Sequence, residues 1–453
     1  MGKGGNSSTG HRSAPFTVVQ EKKEILIDGN FYDTTGFKHP GGSIIGFLAG
    51  SGADATETYK EFHTRSKKAD KFLKSLPSRP ATASELHHAL SLPTVSGKDA
   101  DKKSASGSTA AAASLAKDYN EFRDSLEKEG FFEPNLPHVV WRLTEVVLMF
   151  GLAHWLIAQQ SLVPLLAGII LHGVTQGRCG WLMHEGGHYS LTGVIKIDRT
   201  IQEVVYGVGC GMSGAWWRNQ HNKHHATPQK LQHDVDLNTL PFVAFHKSVL
   251  PSGKKAPKPG SLQAIWVRNQ AYLFAPVVCL LVGLGWTLVL HPRHAVRTKR
   301  HVELASFAFR YGGLFAMWAP LYGVAGAVGL YLVCFAVGTT YIFTNFAVSH
   351  THLPVSNPED YLHWVQYSSD HTTNIQPSWW CNWWMSYLNF QIEHHLFPSM
   401  PQFRHKIIAP RVKALFDKHG LKYDVRGYFS AMHDTFRNLD SVGQAMDELN
   451  PVH

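Results

Sequence analysis

The sequence predicts a mainly α-helical, polytopic membrane protein. Four transmembrane helices carry a cytosolic, histidine-rich metal domain, and a small α+β domain precedes them. Three observations lead to this expectation. Two apolar runs stand side by side at 139–158, "VVWRLTEVVLMFGLAHWLIA", and 161–183, "SLVPLLAGIILHGVTQGRCGWLM", each close to the ~20 residues that cross a bilayer. Histidine is abundant, 28 residues against 34 acidic ones, and recurs in "HEGGH", "HNKHH" and "QIEHH"; neutral imidazole is the commonest metal ligand. Before them, a strand-like "EILIDGNFYD" and amphipathic helical material read as a soluble module.

Residues 1–16, "MGKGGNSSTGHRSAPF", contain no apolar run that could serve as a secretory signal and are expected to be a disordered, cytosolic N-terminus. Residues 17–80 are the small domain. Within it "HPGG" at 39–42 reads alone as a surface turn, because Pro fixes φ and Gly accepts positive φ. His63 follows in "YKEFHTRS", with two short helical pieces between. Imidazoles of His39 and His63 on opposite walls of a pocket would fill both axial positions of a haem iron, suiting it to electron transfer rather than oxygen binding. Gly41 and Gly42 would let the backbone approach the porphyrin edge. The stretch resembles a cytochrome b5 domain, although that family's first helix with its tryptophan is missing or reduced. The resemblance implies haem b held by His39 and His63. Residues 81–117 include "SLPTVSGKDADKKSASGSTAAAASLAK", too poor in large apolar residues to fold alone, and are expected to be a flexible linker.

Residues 118–435 are expected to form the membrane domain. The runs 139–158 and 161–183 are joined so tightly that they make a hairpin. Three more apolar segments follow, near 271–290, 304–322 and 324–348. If the histidine clusters on either side of them are to meet, the chain must cross an even number of times, so one segment does not span. The basic stretch "HPRHAVRTKRH" at 291–301 belongs to the cytosolic side. That makes 304–322 and 324–348 the second hairpin and leaves 271–290 embedded or lying in the interface. Residues 436–453 are expected to be a C-terminal tail. The net charge of +9 raises nucleic-acid binding, but basic residues are spread along the chain and flank apolar segments, so no nucleic-acid partner is expected. Five scattered cysteines form no disulfide framework and no CxxC site, which suits a reducing compartment or membrane burial.

The clusters carry the chemistry. On a helix, residues i and i+4 share a face, so His184 and His188 could hold one metal. "HEGGH" is not simply a zinc-protease motif: two glycines weaken the helix by about 1 kcal/mol each, and one zinc would not need two further clusters. In "HNKHH", His221 can share a face with His224 and with His225, while those two diverge by about 100°. Adjacent histidines therefore address different metals, and several such clusters suggest two irons close together. His350, in "FAVSHTHL" at the end of the fourth span, is placed to join them, with His352 as a second candidate. A polar helix face at the membrane surface explains any one cluster, but not three beside a haem signal. Gln391 stands where "HNKHH" has histidine. Its carboxamide oxygen can bind iron or hold a water beside it. Asp234 and Asp236 could orient ligating imidazoles by accepting their second N–H. Trp216, Trp217 and Phe390 are candidates for the wall of a substrate tunnel, with ordinary interfacial aromatics as the alternative.

The combination resembles the integral-membrane, cytochrome b5-fused fatty acid desaturases of the front-end type, whose third box opens with glutamine, as at Gln391. The resemblance implies two non-haem iron ions held by His184, His188, His221, His224, His225, His350, His394 and His395; Gln391, bound to iron or set beside its ligands, is expected to be needed for activity. It implies O₂ as oxidant, electrons arriving singly through the haem from NADH–cytochrome b5 reductase, and a fatty acyl substrate bound to CoA or to a phospholipid. It also implies a location in the endoplasmic reticulum bilayer with both termini cytosolic. The stretches "GCGMSGAWWRNQHNKHHATPQKLQHDVDLNTLP" and "SWWCNWWMSYLNFQIEHHLFPSMPQFRH" are most similar to Δ5 desaturases of marine algae and protists that act on C20 acids; Δ6 enzymes of green microalgae share "HNKHHATPQK". A sphingolipid long-chain-base desaturase would share the haem fusion and the glutamine box. From another class, the chain could be a non-enzymatic membrane haem carrier or a histidine-rich metal transporter; the transporter would place its ionisable ligands within the spans, whereas these clusters fall at or beyond the span ends.

Overall fold

A computed structural model describes residues 23–92, 105–237, 239–251, 256–258 and 260–449. The expected disordered segment 1–16 and the region of the missing first helix lie outside them. Asp28 and Gly29, both at positive φ (46° and 72°), turn β1 (Glu24–Ile27) into β2 (Asn30–Asp33), because an Asp-Gly pair adopts the left-handed conformations of a two-residue hairpin. The strands pair antiparallel from Glu24↔Asp33 to Ile27↔Asn30, and β3 (Ser78–Pro80) adds antiparallel to β2. Ile25, Ile27 and Ala55 form the buried core under this small sheet, against which α1 (Thr56–His63) and α2 (Lys67–Ser75) pack.

The stretch expected as a linker is largely helical. α3 (Ala83–Ser91) opens on a capping box between Thr82 and Glu85, and Arg79 joins Glu85 to Glu24 of β1. The small module therefore runs to Ser91 rather than to residue 80. α4 (Ala105–Lys128) takes in residues 105–117. Alanine is the best helix former, and Leu115, Tyr119 and Leu126 share one face that is buried with Phe397, Ile408 and Phe416. Low overall hydrophobicity misled the linker expectation here, because a few apolar residues on one helical face suffice once another surface covers them. Residues 93–104 lie outside the description.

α4 also meets the small module. Arg123 Nε donates to Glu61 Oε1 at 2.8 Å, and the Tyr119 hydroxyl lies 3.0 Å from the same oxygen. Burial raises Glu61 to about 7 despite the neighbouring guanidinium.

Among the described residues, four helical stretches are long and apolar enough to cross a membrane: Leu136–Ala158, Leu162–Gly187, Gln270–Arg297 and His301–Ala347. The first two, α5 and α6, form the expected hairpin. The last folds back on itself at Gly323 (φ 71°, ψ 172°): Tyr311 and Tyr331 meet across the bend at 5.9 Å between ring centroids. It is thus two antiparallel arms, 301–322 and 324–347. Both hairpins turn at the same end, where the Tyr322 hydroxyl donates to the Ile157 carbonyl at 2.6 Å and Gln160 Nε2 to that of Leu321 at 2.8 Å. Small residues let them close: a Cβ at Gly173 would lie 2.5 Å from Val337, the close approach expected where backbones pack.

Gln270–Arg297 behaves differently, although its composition alone would let it cross. At its start Gln270 bonds Ala244 and Leu439; near its end His291 accepts from the Ser213 amide at 2.7 Å. Both are at the end of the molecule opposite the hairpin tips. Between them Ala275 leaves helical geometry (φ −114°, ψ 120°), and the run rests Gly283 on Phe335 and Thr339 of the second hairpin. Residues 436–449 are not a tail but part of the helix Tyr428–Leu449, with Leu439, Val442 and Met446 buried; residues 450–453 are not described.

Two outcomes test these points. A Cβ at Gly323 would meet nothing within 4 Å, so Gly323→Val costs only its backbone conformation, about 1–3 kcal/mol, and should lower the melting temperature in detergent; an unchanged melt would contradict the bend. For Glu61, a folded pKa near 7 above the ordinary ~4.3 of an unfolded glutamate means stability that is full below pH 4 and lost as pH rises through 7. Melts between pH 5 and 8 should fall for the native chain and level out in Glu61→Gln.

Candidate metal centre

The first two histidines end α6. Its helix continues through Gly186 and Gly187, and His188 caps it. The glycines that weaken this turn are there for space: a Cβ on Gly187 would stand 2.4 Å from Trp217 and 2.7 Å from the Gln202 amide. α7 (Ile195–Cys210) leads to Ser213, whose side chain caps α8 (Gly214–Ala226) and donates to Glu303 at 2.6 Å. That bond, and the one from the Ala215 amide to Glu303 at 2.8 Å, pin the start of α8 to the second hairpin. The short helix Gln391–Leu396 supplies the third set, held from below when Asn374 accepts from the Ile392 amide at 2.9 Å.

Ligand nitrogens of His184, His188, His221, His225 and His394 all lie within 4.8 Å of one another, and those of His224, His350 and His395 do likewise. The two groups adjoin, with His225 and His395 stacked at 4.2 Å. Neighbours along the chain fall in different groups, His224 from His225 and His394 from His395, because they point away from each other on their helices.

The donors suit metal. His221 Nε2 and His225 Nε2 are 3.0 Å apart, close to the ~3 Å between two nitrogens bound side by side at about 2.1 Å. His188 Nε2, both ring nitrogens of His394 and His395 Nδ1 are buried with no protein partner, which is costly unless a cation takes them. Other rings are aimed by their second nitrogen: His224 Nδ1 lies 3.0 Å from Asp234 Oδ2, and His350 Nδ1 2.9 Å from the His371 carbonyl. Burial lowers His221, His225, His394 and His395 far below the ordinary imidazole range and His350 to about 3, so they are neutral and able to ligate. Burial would lower His224 too, but Asp234 and Asp236 outweigh it and raise it to about 9; a cation at Nε2 would displace that proton.

Gln391 is buried one turn before His395, within hydrogen-bonding reach of His350. Its place is beside the three-histidine group. His352 joins neither group, and both its ring nitrogens are buried without partners. A cavity of about 690 Å³ opens onto Gln391, His184, His221, His224, His350 and His395. Its walls are apolar, with Met183, Met212, Phe242, Val282, Trp286 and Phe343 among them. Trp216 and Trp217 line it, Trp217 lying over His221 at 4.1 Å. Phe390 is buried but does not line it, because it precedes the helix that presents Gln391. Gln402 was not foreseen: it places Nε2 2.8 Å from His184 Nδ1 and donates its amide to Glu185. No spacing in "FPSMPQF" signals this, since the contact joins residues 218 positions apart.

In the N-terminal module, the rings of His39 and His63 lie nearly perpendicular with centroids 6.1 Å apart, about the separation of two imidazoles that share one metal at about 2 Å each. Tyr59 carbonyl lies 2.8 Å from His63 Nδ1, leaving Nε2 to ligate. A Cβ on Gly41 would sit 2.7 Å from the His39 ring, and Gly42 has φ 85°. The pair fits a bis-histidine haem.

The fold gathers histidines that could hold metal at one end of helices long and apolar enough to cross a membrane. The fatty acid desaturase family profile matches residues 160–427. The chain is 56% identical over 433 residues to an acyl-lipid (8-3)-desaturase of Rebecca salina, covering 94% of this chain and 93% of that one. It is 52% identical over 451 residues to an acyl-lipid (8-3)-desaturase of Thraustochytrium sp, covering 98% of each. To fatty acid desaturase 3 of Homo sapiens it is 28% identical over 436 residues, 93% of this chain and 90% of the other. The chain therefore belongs to the fatty acid desaturase family and is an oxidoreductase; the family implies a di-iron centre.

Metal analysis of purified variants separates the two nearby histidines: His350→Ala should lose part of the bound iron and His352→Ala none. Asp234→Asn should weaken iron binding by about 10–100-fold. Equal iron content in all three would argue against this assignment.

Proposed function

We propose that the protein is a front-end acyl desaturase that inserts a cis double bond at carbon 5 of C20 polyunsaturated chains, such as dihomo-γ-linolenate or eicosatetraenoate. The observation that carries the reading is the apolar cavity ending on Gln391 and both histidine groups. The (8-3) in the relatives' names accords with it, since three carbons to the carboxyl side of a double bond at carbon 8 is carbon 5. In the reaction one O₂, two electrons, two protons and two hydrogens of neighbouring methylenes give the alkene and two waters. Side chains cannot attack such C–H bonds, and two irons held by the eight histidines would supply that oxidising power.

The protein's own part is positional. The walls around Trp217, Met183 and Phe343 hold the acyl chain and exclude water. Gln391, reaching His350 at the cavity's end, orients that ring or a bound water. Asp234, the His371 carbonyl and Gln402 hold ring nitrogens in place. His39 and His63 would hold haem b, whose chemistry would be to carry single electrons from NADH–cytochrome b5 reductase. The two hairpins would span the endoplasmic reticulum bilayer, with both termini and the histidines on the cytosolic side and 270–297 embedded.

Expression in a yeast that lacks polyunsaturated acids, fed C18 or C20 precursors, tests the substrate. Gas chromatography should show a new 5-position double bond from C20. Product from C18 alone would move the reading to position 6, and none from any precursor would overturn it. Gln391→Ala should retain iron and lose at least about tenfold in turnover, roughly 1.4 kcal/mol of barrier. If both values stay unchanged, Gln391 has no role.

A further inference from the structure

The N-terminal module is not merely tethered to the histidine centre. It rests on the centre through a short aromatic contact. His63 ends α1, and its neighbour Phe62 packs edge-on against Trp364 with ring centroids 5.9 Å apart. Trp364 Nε1 donates to the Leu396 carbonyl at 3.2 Å, and Leu396 follows His395 directly in the chain. The same carbonyl lies 2.9 Å from the Tyr119 hydroxyl. Trp364 is 6% exposed, in the core shared by α4 and helix Gln391–Leu396.

We propose that Trp364 is the electronic bridge between the two histidine sets, carrying electrons from the His63 side to the His395 side through Phe62, the indole and the Leu396 carbonyl. The inference rests on the haem and iron reading above. In each passage the haem iron is oxidised by one electron and a histidine-held ferric iron is reduced by one. The indole and the amide keep their protons and are unchanged. A second contact joins the halves where Gly42 meets Asn219, whose Oδ1 would lie 3.0 Å from a Cβ there. That one ends on a residue with no side chain and has no conjugated group on the module's side. It docks the module, while the Phe62–Trp364 contact, which leads by a hydrogen bond to the residue after His395, couples it.

Two features make Trp364 separable from simple docking. Tyr119, Arg123 and Glu61 hold the module through hydrogen bonds that do not involve the indole. Phe47 stacks on His233 at 4.3 Å on another side of the interface. Removing the indole should therefore leave the module seated.

The test uses full-length protein carrying haem and iron, in detergent and without oxygen or acyl substrate, so turnover does not enter. The haem is reduced by a flash from a photoexcited flavin, and its reoxidation by the ferric centre is followed at the Soret band. Trp364→Leu should slow that reoxidation by about tenfold or more, and Trp364→Phe by less. Asn219→Ala should leave it unchanged. Haem and iron contents, the haem reduction potential, and hydrogen exchange over 56–63 and 391–397 should match the native chain in all three. Native-rate reoxidation in Trp364→Leu, or slowing matched by increased exchange at the interface, would overturn the bridge. Native protein that binds no haem would sink the haem reading, and the bridge with it, before any variant is made.

Discussion

Eight buried imidazoles packed against one another can ligate only when neutral, His224 against the pull of Asp234 and Asp236, and several leave buried nitrogens with no protein hydrogen-bond partner. Such an arrangement is costly for a bare protein, because an unpaired buried polar atom loses its water without replacement. The rest of the architecture can be read as the means of tolerating that cost until cations take the nitrogens. Partners as distant as Asp234, Gln402 and the His371 carbonyl fix the second nitrogen of individual rings. Gly187 gives up helix stability so that Trp217 and His221 can close on His184 and His188.

The same demand explains why the hairpins are built as they are. Their tips meet at one end through Tyr322 and Gln160, which leaves the other ends free to present α6 and the 324–347 arm to a common site. The run 270–297 returns to that end rather than crossing, and lays Val278, Val282 and Trp286 along the cavity. An apolar segment with both ends on the side of the histidines thereby becomes a wall of the cavity. Its hydropathy is higher than that of the hairpin helices, and only its partners at both ends distinguish it from them.

The N-terminal module completes the centre from outside. A flexible linker would raise its local concentration without fixing its orientation. α4 instead lies between the two, bonded to Glu61 through Arg123 and buried against Phe397. Orientation is thus set by a packed interface, and the short distance from Phe62 to Leu396 follows from it.

Local spacing determined much that matters. It showed the first helical hairpin, the glutamine in "QIEHH", the faces shared by His184 with His188 and by His221 with His225, and the divergence of adjacent histidines, whereas the strand-like "EILIDGNFYD" proved to be two strands joined by the Asp28–Gly29 turn. These depend on helix or turn geometry within a few residues, which a sequence states directly. Tertiary structure alone decided the sorting into a group of five and a group of three, the admission of His350 and exclusion of His352, the role of Gln402, and the burial of α4 and of the C-terminal helix. Those outcomes depend on which surfaces meet across hundreds of residues, and a side chain's neighbours at that range are set by packing rather than by period.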